Sequence, residues 1–135
     1  MTMPRFRNYI LLGTVALFAS ACESDTPTEP STTTTSPTTV TWSGIVGPGG
    51  SLSRSFETTQ AGAVTVTLTL SDAALGLGIG VPRTANGGCR LTVSQVDAAG
   101  QAVSIPAAGG SYCVQVFDDG SVVKQAAFTV QIVYP

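Results

Sequence analysis

Residues 64–70 read Val-Thr-Val-Thr-Leu-Thr-Leu, a strict alternation of apolar and hydroxyl side chains. A strand points successive side chains to opposite faces, so Val64, Val66, Leu68 and Leu70 line one face and Thr65, Thr67 and Thr69 the other. No helix can segregate a period of two, so this run commits the chain to a half-buried sheet. The same texture recurs. Val40 and Trp42 alternate with Thr41 and Ser43, and Gly47-Pro48-Gly49-Gly50 then stops the strand. Leu52 and Phe56 share a face with Arg54 between them, the mark of an edge or a twist. Leu75, Leu77, Ile79 and Val81 alternate with Gly76, Gly78 and Gly80, which leaves a strip of bare backbone on the opposite face. Further short runs are Cys89/Leu91/Val93, Val103/Ile105, Tyr112/Val114/Val116 and Phe128/Val130/Ile132/Tyr134, separated by turns such as Asp118-Asp119-Gly120. About eight short strands without a helical period predict an all-β fold: a single antiparallel β-sandwich over residues 40–135.

The amino-terminal residues have a different character. Arg5 and Arg7 precede an apolar stretch from Ile10 to Ala19, followed by Ala19, Ser20 and Ala21. A membrane-spanning helix needs about 20 apolar residues, so this run fits a cleaved signal peptide over residues 1–21. The string Ala19-Ser20-Ala21-Cys22 resembles a bacterial lipobox, with Ala19 where that motif usually has Leu. The resemblance implies a diacylglyceryl group on Cys22, cleavage before it, and lipid anchoring at the bacterial cell envelope on its periplasmic or cell-surface face. Two or more acyl chains hold a protein stably where one does not. Residues 22–39 then read as a tether. Ser24–Thr39 carries eight Thr, three Ser and three Pro and nothing that could seed a core. Extended at about 3.1 Å per residue, it reaches up to roughly 50 Å from a bilayer.

The composition narrows the function. Beyond residue 21 only Arg54, Arg83, Arg90 and Lys124 are basic, against eight acidic residues, so nothing marks a nucleic-acid partner. Histidine is absent, which removes the commonest general base and metal ligand. Lys124, the one lysine, sits in a polar turn as a solvated charge. The carboxylates Glu57, Asp72, Asp97, Asp118 and Asp119 fall at strand ends and turns, where Asp is ordinary turn chemistry. Asp118 and Asp119 are the first candidates for calcium, yet each has that simpler role, so no strong metal site is expected. Neither glycine run carries a phosphate-loop pattern. No cofactor and no catalysis are expected. Among the aromatics Trp42, Tyr112, Phe117 and Tyr134, Trp42 is expected to pack the sandwich edge, and Phe117 alone is expected to show on the surface.

With Cys22 lipidated, Cys89 and Cys113 remain. Two cysteines in an exported domain imply a disulfide, the alternatives being two free thiols or a metal pair. A bridge closing about 25 residues contributes about 3.5 kcal/mol by chain entropy. The pairing has an awkward parity: Cys89 follows the core residues Leu91 and Val93, whereas Cys113 opposes Tyr112 and Val114. The two glycines before Cys89 could twist it off the pleat.

The AGAVTVTLTL run from Ala61, the AAGGSYCVQVFDDG run from Ala107 and the closing AFTVQIV from Ala127 resemble the pre-peptidase C-terminal family. That resemblance implies a jelly-roll-like sandwich acting as an accessory module in secretion, substrate contact or adhesion. The arrangement also resembles small bacterial lipoproteins. The expected function is a non-enzymatic, surface-anchored binding or structural module. Its partners would be the membrane, through the lipid on Cys22, and an envelope protein or polysaccharide ligand. The alternative is a carbohydrate- or calcium-dependent adhesion module.

Overall fold

The computed structural model describes residues 35–85 and 87–135. The expected signal peptide, Cys22 and the tether up to residue 34 lie outside the described residues. The rest forms eight strands: β1 (Thr38–Val46), β2 (Ser51–Thr58), β3 (Gly62–Ser71), β4 (Gly76–Arg83), β5 (Gly88–Gln95), β6 (Ala102–Ala107), β7 (Gly110–Phe117) and β8 (Ala126–Tyr134). β1 therefore starts two residues before the alternation suggested, with Thr38 opposite Tyr134.

Two four-stranded antiparallel sheets face each other, in the orders β1-β8-β3-β6 and β2-β7-β4-β5. Among these strands only β4 and β5 are chain neighbours that also pair in one sheet. Every other connection crosses between sheets, which is the double Greek key of an eight-stranded jelly roll. The all-β sandwich expected from the alternation is thus the observed fold.

The inner faces interdigitate as the pattern requires. Val64, Val66 and Leu68 of β3, Leu77 and Ile79 of β4, Val114 and Val116 of β7, and Val130 and Ile132 of β8 are buried. Each contributes roughly 1.5–3 kcal/mol through apolar area removed from water. Gly44 of β1 leaves room for Phe128, which meets Trp42 edge-on at 5.0 Å. Trp42 therefore packs half-buried against the core, as an edge residue should. Arg54, on the inward-facing side of β2, remains exposed because β2 is a sheet edge.

Two strands break their own alternation. Between Leu68 and Leu70 the pairing of β3 with β8 slips by one residue at Thr69, whose hydroxyl donates to the Thr129 carbonyl at 3.1 Å. Such a bulge turns everything beyond it to the other face. Leu70, expected in the core, is 58% exposed, and Leu75 is the next core residue. The second slip lies in β5, where Ile79 pairs with Val93 but Gly80 pairs with Leu91, leaving Thr92 unpaired. Leu91 and Cys89 consequently face outward rather than into the core with Val93.

Candidate functional site

The slip at Thr92 builds the one strongly modified surface of the domain. β4 pairs with β7 only as far as Gly80, opposite Cys113, but its pairing with β5 continues to Arg83, opposite Gly88. Beyond Gly80 the β4–β5 hairpin leaves the sheet plane and folds over its outer face. Three observations fix this. The Arg90 carbonyl lies so close above Gly80 that an added Cβ would overlap it. β5 touches β2, although two strands separate them in the sheet. Cys89 of β5 is bonded to Cys113 of β7, with 5.7 Å between their Cα atoms, across the intervening β4.

The expected disulfide is present, and its parity problem is resolved. Cys113 faces outward, as its neighbours Tyr112 and Val114 require. The bulge at Thr92, not the glycines before Cys89, turns Cys89 to meet it. The glycine strip of β4 is likewise not bare. The ring of Phe117 lies over Gly76, and the Leu91 methyls would stand 2.8 and 2.9 Å from a Cβ on Gly78. Phe117, expected to show, is half-buried for this reason.

Beneath the hairpin lies a cleft of about 670 Å³. Its floor and near wall are Ser51 and Ser53 of β2 and Gln115 of β7; its roof is Arg83, Gly87, Gly88 and the outward face of Cys89 and Leu91. The register explains the convergence. Ser51 and Ser53 pair with Phe117 and Gln115, on the same outward face as Cys113. The cleft thus offers hydroxyls, a primary amide and one guanidinium, with no carboxylate among the described residues that line it. A shallower groove of about 420 Å³ runs on from Arg83 along Val81, Pro82 and Thr84 to Arg90. A further groove of about 680 Å³, which shares Val81, Pro82 and Thr84 with that one, contains Glu57, which accepts a hydrogen bond from Ser111 at 3.3 Å.

The calcium candidates serve the loops at the far end. Asp118 Oδ2 accepts the Gly49 amide at 2.7 Å, and Oδ1 accepts the amides of Gly120 at 2.8 Å and Val122 at 3.0 Å. These donors, Gly49 first, hold its carboxyl below the usual carboxylate range. Asp118 so staples the β1–β2 turn to the β7–β8 loop. Asp119 accepts the amide of Ser121 at 3.2 Å and also its hydroxyl. Asp72 Oδ2 accepts the Ala127 amide at 3.3 Å. Among the described residues no three Cys, Asp or Glu side chains gather as a metal site. Tyr112 and Tyr134 flank Phe56 rather than forming an outer platform, with Phe56 and Tyr134 centroids 4.9 Å apart. Sequence reasoning singled out none of Ser51, Ser53, Arg83 or Gln115. The one signal was the mismatched parity of the cysteines.

No family model matches the chain, and no curated protein matches it. Among solved structures it is similar to the Yersinia pseudotuberculosis-derived mitogen, with a TM-score of 0.56 and 13% identity over 73% of this chain and 87% of that one. At that identity the likeness speaks for the fold: the strand architecture is shared, and the residues of the cleft inherit nothing from it.

Proposed function

We propose that the chain is a lipid-anchored, non-enzymatic binding module of the bacterial cell envelope, and that the cleft under the β4–β5 hairpin holds its ligand. The observation that carries this reading is the placement of the disulfide. It does not brace the core; it fixes a hairpin above a serine-bearing sheet face and so holds a polar cleft open. Binding sites are commonly concave surfaces with a few polar groups held by a rigid scaffold. The absence of histidine and the occupation of Asp72, Asp118 and Asp119 in loop hydrogen bonds speak against catalysis.

The lipid anchor rests on Ala19-Ser20-Ala21-Cys22, and the pre-peptidase C-terminal likeness on runs that occupy β3, β7 and β8. Of the adhesion alternatives, the hydroxyl and amide lining favours carbohydrate over calcium, since the oxygens of Asp118 already accept three amides. The test is retention of envelope fractions on the immobilised chain. Ser53→Trp, which fills the cleft from an exposed strand position, should abolish it, while Thr41→Trp on the other sheet should not. Equal retention by both variants would remove the cleft from the proposal. Separately, Cys22→Ser should abolish labelling by a palmitate analogue; equal labelling would remove the anchor.

A further inference from the structure

We propose that the ligand of this cleft is an acidic polysaccharide, with Arg83 meeting its carboxylates and Ser51, Ser53 and Gln115 its hydroxyls. The inference rests on the cleft being the binding site and adds the class of ligand.

Three features point to it. The first is charge separation along the sandwich. Asp72, Asp97, Asp118 and Asp119 all stand in the loops at one end, joining β3–β4, β5–β6 and β7–β8. Arg83 and Arg90 stand at the other end, on the β4–β5 hairpin. The chain is acidic in total, yet among the described residues its cleft is lined by a guanidinium and by no carboxylate. Glu57 is the exception: it stands at the arginine-bearing end, in a groove that shares Val81, Pro82 and Thr84 with the Arg90 groove, and accepts a hydrogen bond from Ser111.

The second feature is shape. Arg83 lines both the cleft and the adjoining groove that contains Arg90, which pairs with Val81 on the other face of the hairpin from Cys89 and Leu91. Two cations set in adjoining grooves suit a chain with repeated anionic groups better than a compact ion. Guanidinium is the side chain best matched to carboxylate, because its planar fork donates two parallel hydrogen bonds.

The third feature is the lining of the cleft beside Arg83, formed by Ser51, Ser53 and Gln115. Serine hydroxyls donate and accept, and a primary amide does both at once. A sugar ring presents the same mixture. An anionic membrane is the competing partner for an arginine-bearing end, but lipid-surface recognition needs clusters of roughly 4–8 basic residues, each worth about 1 kcal/mol. Two arginines on a concave surface fall short of that.

The experiment uses the purified chain with three probes: polygalacturonate, neutral dextran, and vesicles containing phosphatidylglycerol. Polygalacturonate should be retained at low salt and released as ionic strength rises past about 0.15 M, where screening shortens to about 8 Å. Arg83→Gln should weaken retention at least roughly tenfold and Arg90→Gln less, whereas Lys124→Gln, at the acidic end, should leave it unchanged. Arg83→Lys should fall between, since it keeps the charge and loses the fork. All three positions are exposed, and an intact Cys89–Cys113 bond in each of the four variants reports correct folding. Equal retention of dextran, or indifference to Arg83→Gln, would overturn the proposal. Binding to vesicles instead of polysaccharide would give the site to a membrane. If none of the probes binds while envelope retention remains sensitive to Ser53→Trp, the acidic ligand falls and the binding cleft stands; if that sensitivity is also missing, both fall.

Discussion

The outer faces of the two sheets begin from the same alternation and end differently. On the β1-β8-β3-β6 sheet hydroxyls predominate among the outward positions, with Ile45 and Val133 among them. Thr41 and Ser43 lie beside Gln131 and Thr129, and Thr65 and Thr67 continue the rows. The hydroxyls of Ser43 and Thr129 pair at 2.9 Å and those of Thr65 and Ser104 at 3.1 Å. Each sheet has one slipped pairing, at Thr69 in one and Thr92 in the other, but on the β2-β7-β4-β5 sheet three outward positions are also glycine and a disulfide fastens a hairpin across the surface. A solvated face follows by default from a period-two sequence. A face that departs from the default in several ways at once has been built for something, which is why the cleft rather than the pleat carries the functional reading.

The largest expected effect that would test this contrast comes from removing the disulfide. Cys89→Ala with Cys113→Ala should lower stability by about 3.5 kcal/mol in urea denaturation. Amide exchange should show lost protection in the hairpin beyond Gly80, while β3 and β8 keep theirs. Uniform loss across both sheets would mean that the bridge serves the whole sandwich and that the contrast is misplaced. Next, Gly80→Ala should cost roughly 1–3 kcal/mol, because the added carbon meets the backbone of Arg90, which cannot rotate away. Phe117→Ala should cost roughly 1–2 kcal/mol through lost burial over Gly76, read as a lower thermal midpoint. If it were neutral, the covered glycine strip would contribute nothing to stability.

A smaller effect should come from Asp118. Its carboxyl is held below the ordinary value in the folded state, so its contribution is present above the unfolded value, near pH 3.9, and is lost as pH falls through the depressed folded one. Asp118→Asn should lower the midpoint at neutral pH and flatten the acid limb of the stability profile; an unchanged limb would contradict the role given to its three amide donors. The smallest effect belongs to the pleat. Thr41→Val should change stability by no more than about 0.5 kcal/mol and leave ligand retention intact.

Much of the architecture was legible before any coordinates. The alternations of β3, β4, β7 and β8 marked inner faces where the ladder is regular, except at Val81, which the lifted hairpin leaves 44% exposed, and Arg54 pointed to an edge or a twist in β2, which is an edge. What escaped was what a single extra residue does. A bulge leaves no trace in composition, so Leu70 and Leu91 keep the parity of core residues in the sequence while facing outward in the fold. The candidate site escaped with them. Ser51, Ser53, Arg83 and Gln115 are ordinary surface residues one by one; only the slip at Thr92 and the bond to Cys113 bring them around one volume. The cysteine parity could have been followed further, since two residues that must bond yet face opposite ways demand a register shift between one of them and its core neighbours.

The bridge across β4 also decides how the domain would bear a pull. β5 is the outermost strand of its sheet, and a force on its hairpin would ordinarily strip it away one hydrogen bond at a time. The Cys89–Cys113 bond instead passes the tension covalently to β7, which is flanked by β2 and β4. A partner tugging at Arg83 therefore strains an interior strand gripped from both sides, and the hairpin stays in place under a force that would unzip an unbridged edge.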